Sequence, residues 1–314
     1  MAKSIKRAWQ NAFTKPAEPA PAPSRHQKTI PVKTTYESRP VDIPESFLTT
    51  PAADHLPPTF HQISWPATAV PENGIRYAAV LDNILSPSEC AALLGLAEAS
   101  VPPTHCGPDG GAWRPAMVNV GAGYEVLTPS YRNSDRIVWD SQDVVDRIWG
   151  RCLAVPGLRE RFAVVDKETE VTGYERFGLR RGPGSRFEFA KMNPRMRFLK
   201  YGGGQFFRAH RDAPYGETSE DGKTIESLFT IHLYLNDSKA EVGEASELVG
   251  GATSFLSADC TRKEDVNPKA GRVLIFQQRK LLHAGDDVLA GIKYTMRTEI
   301  MYELINPDDL GGQG

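Results

Sequence analysis

From about residue 165 the chain changes its sequence period to two. Strand-like runs are expected at 195–201, 228–235, 252–256, 272–276 and 294–302, each bounded by Gly, Asn, Asp or Pro. No ten-residue helical pattern separates these runs, which excludes alternating β-α-β units. The pattern predicts a mainly β chain, an antiparallel barrel or jelly roll with flanking helices. Two such helices are readable upstream. Ser86-Pro-Ser-Glu89 has the form of a capping box with Pro at the first helical position, and it opens an apolar run through Cys90 to Glu98. Asp140 to Trp149 is the second, with Val144, Ile148 and Trp149 on one side. The Pro- and Gly-rich segment 101–135 reads as a long, lid-like loop.

The first 60 residues differ in kind. They hold ten of the 24 prolines, among them the run Pro16 to Pro23. Such a stretch buries too little apolar surface to offset its ordering entropy. Residues 1–62 are therefore expected to be a Pro/Ala-rich arm, disordered or loosely draped, and 63–314 one domain with its β core at about 165–305. Residues 2–14 place Ile5, Ala8, Trp9, Ala12 and Phe13 on one helical face, and no acid occurs before Glu18. That helix suits organelle targeting, a membrane surface, or simple packing on the domain.

Composition removes several function classes. A net charge of -2 and a pI near 6.4 create no general field for nucleic acid. No apolar run approaches the length of a membrane span, so no integral membrane segment is expected. Cys90, Cys106, Cys152 and Cys260 stand far apart with no CxxC pair. This argues against a disulfide scaffold or thiolate zinc site and suits a reducing, cytoplasmic setting.

Three of the seven histidines, His210, His232 and His283, fall in the strand-rich part. His210-Arg-Asp212 is the one His-x-Asp of the chain. In an extended strand residues i and i+2 point the same way, so imidazole and carboxylate can share a metal. His283, just after an apolar strand, can supply a second imidazole. Two His and one carboxylate leave three positions open on ferrous iron, as an oxygen-activating site requires. A zinc hydrolase can use the same set, but it needs a further acid or base, and none is evident.

The run Tyr201 to Asp212 (Tyr-Gly-Gly-Gly-Gln-Phe-Phe-Arg-Ala-His-Arg-Asp) resembles the metal strand of the prolyl 4-hydroxylase-like Fe(II)/2-oxoglutarate-dependent dioxygenases. Further matches follow in that family's order: Leu233 to Asn236, Gly250 to Phe255, Pro268 to Phe276, Leu282 to Gly285 and Gly291 to Tyr294. The resemblance is close over 190–305 and holds in outline over 75–165. It implies a double-stranded β-helix, a jelly-roll or cupin-like core with iron between two sheets.

Residue by residue, the resemblance implies that His210, Asp212 and His283 bind Fe(2+). Lys293 then grips the distal carboxylate of 2-oxoglutarate. An unpaired buried carboxylate is costly, so a strand-borne cation is the natural partner. Arg297, four residues on, remains an alternative anchor or a binder of a substrate carboxylate. Tyr234 matches a hydrogen-bond donor to the distal carboxylate and Tyr201 a residue near the proximal one, with core packing as the plain alternative for both. Arg197, His232 and Thr253 are expected to face the cavity. Related halogenases lack the carboxylate, so Asp212 favours hydroxylation. The implied cofactors are Fe(2+), 2-oxoglutarate and O2, with ascorbate as an optional reductant. The expected activity is dioxygenase hydroxylation of a small molecule, a free amino acid or secondary metabolite. A prolyl hydroxylase acting on a protein and a non-catalytic jelly-roll binding protein are the alternatives.

Overall fold

Alternation decides the architecture. A computed structural model describes residues 30–107, 109–166, 184–219 and 221–306. Every strand pair among them is antiparallel. The large sheet runs in the order Thr59–Gln62, Ala78–Asp82, Val273–Gln277, Thr224–Tyr234, Lys293–Ile305, Arg195–Tyr201, Asp135–Asp140 and Arg114–Pro115. A second sheet runs Lys263–Val266, Thr253–Leu256, His283–Gly285, Phe206–His210 and Arg132–Asn133. This is the mainly β, jelly-roll arrangement that the period of two predicts.

The two faces of the large sheet have separate tasks. Ile231, Leu233, Phe198, Met296 and Ile300 point outward into the main hydrophobic core. Three helices complete that core: α1 (Pro87–Ala99), α2 (Gln142–Leu153) and α3 (Leu158–Ala163). Both bonds of the capping box form at α1, with the Ser86 hydroxyl accepting from the Glu89 amide and the Glu89 carboxylate accepting from the Ser86 amide. Helix α2 buries Val144, Ile148 and Trp149 as expected and continues to Leu153. The opposite face of the sheet carries Tyr201, Thr230, His232 and Lys293 toward the small sheet. Tyr234, Phe255, Leu274 and Phe276 form a separate apolar cluster there.

Two segments depart from expectation. The stretch 101–135 is not all loop, for it contains Arg114–Pro115, Val118–Gly121, Tyr124–Val126 and Arg132–Asn133 as short strands. Runs of two to four residues are too short to reveal a period in the sequence. Residues 31–62, read above as an arm, are mostly exposed but make contacts with the domain. Leu48 is 3% exposed in the main core, and Thr59–Gln62 is an edge strand of the large sheet. Arg147 donates to the carbonyl of Phe47 at 2.8 Å and Arg151 to that of Leu48 at 2.7 Å. Few apolar residues suffice here because α2 supplies the donors. The basic helix at 2–14 and the proline run at 16–23 lie outside the described residues.

Among the described residues, no helix is long and apolar enough to cross a membrane. All four cysteines are free thiols, with Cys90 and Cys152 buried.

Candidate active site

The small sheet brings the histidines together. His210 and His283 are direct cross-strand partners, with ring centres 4.3 Å apart. Asp212 lies beyond the end of its strand, so alternation alone does not aim it. Its Oδ2 accepts a hydrogen bond from the Thr230 hydroxyl at 2.7 Å. Thr230 in turn accepts from Gln278 at 3.3 Å, and Gln278 accepts from Ser227 at 2.8 Å. This buried chain of polar groups fixes the carboxylate. The sequence analysis assigned no role to Thr230, Ser227 or Gln278. Gln278 sits outside any motif, so only its burial reveals it.

Both imidazoles show how the site is poised. A carbonyl oxygen can only accept, so Nδ1 of His210 donates to the Arg208 carbonyl at 2.8 Å. Nδ1 of His283 likewise donates to the Leu281 carbonyl at 3.2 Å. Each Nε2 is left with a bare lone pair, and these lie 3.7 and 3.8 Å from Asp212 Oδ1. Metal-binding histidines are held in this way, one nitrogen fixed by a backbone carbonyl and the other free to ligate. Phe207 stacks on the His210 ring at 3.7 Å and Phe276 meets His283 edge-on at 4.8 Å, so neither ring can turn. One ligand atom from each of the three residues lies within 4.8 Å of the others. Two neutral nitrogens and one carboxylate fit a ferrous ion.

The electrostatics agree. Burial, then the neighbouring His283, pushes His210 down to about 3, and burial lowers His283 as well, so both stay neutral. Burial acts to raise Asp212, but the Arg297 charge and the Thr230 hydrogen bond oppose it and the carboxyl is held well below its ordinary range. His232 is also buried and held neutral, first by desolvation and then by the nearby charges of Lys293 and Arg297. It lines the cavity, as does Thr253.

Lys293 is 2% exposed and lines the same cavity, which holds about 440 Å³ of empty space including its mouth. It makes no hydrogen bond or ion pair among the described residues. Its ammonium lies 5.3 Å from the centre of the Tyr201 ring and 5.7 Å from that of Tyr234. Burial pulls it down to about 7, weakly opposed by Asp286. Gly251 makes room for the lysine stem: its φ is +72°, and a Cβ there would lie 3.2 Å from the Lys293 Cδ. The one free buried ammonium in the cavity fits a carboxylate ligand.

The remaining predicted residues divide. Arg297 donates to Asp212 Oδ1 at 2.9 Å and lies 3.4 Å from Glu299. Arg197, expected to face the cavity, is not among the residues that line it and is paired with Glu299 at 2.8 Å. Tyr201 faces the cavity, and burial raises its phenol, leaving it a donor. Tyr234 is buried beside the lysine, but its hydroxyl donates to the Val266 carbonyl at 3.2 Å rather than into the cavity. Arg132, from the segment read as a loop, also lines the cavity and was missed. No periodicity marks a two-residue strand.

Residues 196–298 match the family model of the 2OG-Fe(II) oxygenase superfamily. No curated protein matches the chain. Among solved structures it is similar to a viral collagen prolyl hydroxylase of Paramecium bursaria Chlorella virus-1, at 21% identity over 72% of this chain and 95% of that one, with a TM-score of 0.39. It is similar to a Pseudomonas putida prolyl-4-hydroxylase at 16% identity over 76% and 99%, with a TM-score of 0.43. A Trichoplax adhaerens prolyl hydroxylase, solved with a hypoxia inducible factor peptide fragment, gives 13% identity over 76% and 87%, with a TM-score of 0.43. The matched span runs from the Arg195–Tyr201 strand through Lys293 and contains His210, Asp212 and His283, and over that span the chain is similar to the 2OG-Fe(II) oxygenase superfamily.

Proposed function

We propose that His210, Asp212 and His283 hold the ferrous ion, that Lys293 binds the distal carboxylate of 2-oxoglutarate, and that the enzyme hydroxylates a small molecule. When bound, iron and 2-oxoglutarate couple oxidative decarboxylation of the cosubstrate to removal of a substrate hydrogen. The observation that carries the reading is the conjunction in one cavity: two bare imidazole nitrogens facing one carboxylate oxygen, beside a buried ammonium with no acid of its own.

The protein residues divide the work. Thr230 and the Gln278 amide behind it orient Asp212. Phe207 and Phe276 hold the imidazoles and exclude water from one side. Arg297 spends its charge on Asp212 and Glu299, so Lys293 rather than Arg297 is free for the cosubstrate. Tyr201, kept as a phenol beside Lys293, has a proton to donate to the same ligand. Tyr234 packs against the lysine and gives its own proton to Val266. A small substrate is favoured because Arg132, on a strand of the former lid segment, walls the cavity.

Anaerobic addition of ferrous iron and 2-oxoglutarate should give the weak visible absorption of the chelate, and its loss in His210→Ala and His283→Ala is expected. Consumption of 2-oxoglutarate should then rise with free amino acids or other metabolites. Stimulation by proline-containing peptides alone would overturn the small-molecule reading.

A further inference from the structure

Arg132 is the cation that the assigned chemistry leaves over. It is 9% exposed, it lines the cavity of the triad, and its Nε has no hydrogen-bond partner. Its guanidinium forms no ion pair among the described residues. The groups that favour its charge are the Tyr201 phenol and, more weakly, Glu125, which is already held by Arg136 at 2.7 Å. Burial lowers Arg132 to about 10, which still leaves it charged at neutral pH.

Placement gives this charge its meaning. Arg132 is the cross-strand partner of Phe207, one strand away from His210 in the small sheet. Its guanidinium lies 4.6 Å from the centre of the Phe207 ring, the same ring on which His210 stacks. The cation therefore stands within one aromatic ring of a metal ligand. A buried arginine without an acid is strongly unfavourable, and proteins keep such groups where a ligand completes them. The other cations of the cavity are spoken for. Lys293 has the cosubstrate, and Arg297 has Asp212 and Glu299.

We infer that Arg132 receives a carboxylate of the prime substrate, so that the substrate class is a small carboxylic acid oriented with its acid group on Arg132 and its reacting carbon toward the triad. The inference rests on the function proposed above and deepens it. A carboxylate matches better than a phosphate dianion, because one planar guanidinium offers two parallel donors and a single charge. A neutral carbonyl would satisfy the donors and leave the charge uncompensated.

The test uses the full chain, anaerobic and saturated with ferrous iron and 2-oxoglutarate, so that Lys293 is occupied. The probes are straight-chain monocarboxylates from acetate to hexanoate and free L-amino acids, each compared with its primary amide at constant ionic strength. Acids should raise the melting temperature and amides should not. In Arg132→Met the response to acids should weaken on the order of thirty-fold or more in midpoint concentration. The same variant should keep its 2-oxoglutarate affinity, read from the chelate absorption. Without any ligand it should melt no lower than the wild type, since a charge with no acid leaves the interior.

Several results overturn the inference. If no acid outperforms its amide, the substrate does not present a carboxylate to this residue. If Arg132→Met weakens 2-oxoglutarate ten-fold or more, Arg132 belongs to the cosubstrate. If the ligand-free variant melts several degrees lower, Arg132 is structural. Failure of the wild type to form the chelate absorption at all sinks the proposed function and this inference with it. A normal chelate with no preference for acids sinks this inference alone.

Discussion

Replacing Lys293 by Met should make the empty enzyme more stable and nearly unable to hold 2-oxoglutarate. Burial moves the ammonium from an ordinary 10.5 to about 7. At about 1.36 kcal/mol per pKa unit, that shift corresponds to a burial cost on the order of 4–5 kcal/mol. The sign is set by where the proton resides. Below pH 7 both the folded and unfolded chains carry it, and the folded state bears the whole cost. Between 7 and 10.5 the folded lysine is already neutral while the unfolded one still holds its proton, so stability rises with pH across that window.

Methionine has a similar length and no charge, so its advantage should be largest at about pH 6.5 and smaller by roughly 2–3 kcal/mol at about pH 9. Urea unfolding of both proteins, free of metal and cosubstrate, measures this directly. The binding effect has the opposite sense. Leaving a buried carboxylate without its cation typically costs about 3–5 kcal/mol, a hundred-fold or more in affinity. Titration of the chelate absorption with 2-oxoglutarate at saturating iron reads it. A Lys293→Met protein less stable than wild type at about pH 6.5 would show that the ammonium has a partner in the fold. Near-normal cosubstrate affinity there, with the larger defect in Arg297→Ala, would make Arg297 the anchor.

The other expectations concern metal, support and packing. His210→Ala and His283→Ala should each abolish 2-oxoglutarate consumption while the melting curve stays cooperative; near-normal activity of either under limiting iron removes it from the ligand set. Thr230→Val takes away the donor to Asp212 Oδ2 and should weaken iron about ten-fold with little change for 2-oxoglutarate. An unchanged iron titration means that Gln278 and Arg297 suffice to place the carboxylate. Leu48→Ala should destabilise by about 2–3 kcal/mol, since the side chain is 3% exposed in the main core. For the same reason deletion of residues 1–60 should lower the melting temperature, and an unaltered melt would show that 31–60 contribute no net stability. Gly251→Ala should impair 2-oxoglutarate binding, because its Cβ would press on the Lys293 stem.

Much of the scaffold is legible in the sequence because it is written in local rules. The period of two, the apolar runs and the absence of helical spacing are properties of neighbouring residues. They are enough to specify an antiparallel β sandwich and its flanking helices. The capping box at Ser86 is equally local, and both of its bonds form. The candidate metal triad is readable through a spacing and a resemblance, since His210 and Asp212 lie two residues apart and His283 follows in a recognisable motif.

Tertiary structure alone decided which polar groups are satisfied. Arg197, Arg297 and Arg132 look alike in the sequence, as cations in or near strand-like runs. Packing gives Glu299 to the first, Asp212 and Glu299 to the second, and no acid to the third. Tyr234 shows the same limit, for its face follows from alternation but the destination of its hydroxyl depends on Val266, 32 residues away. The segment 31–62 is composed like a disordered arm, and it is ordered by arginines of α2 that reach its carbonyls across about a hundred positions. Composition and period report what a residue prefers. Whether a buried charge is paired depends on residues far apart in the chain, and only the folded molecule brings them together.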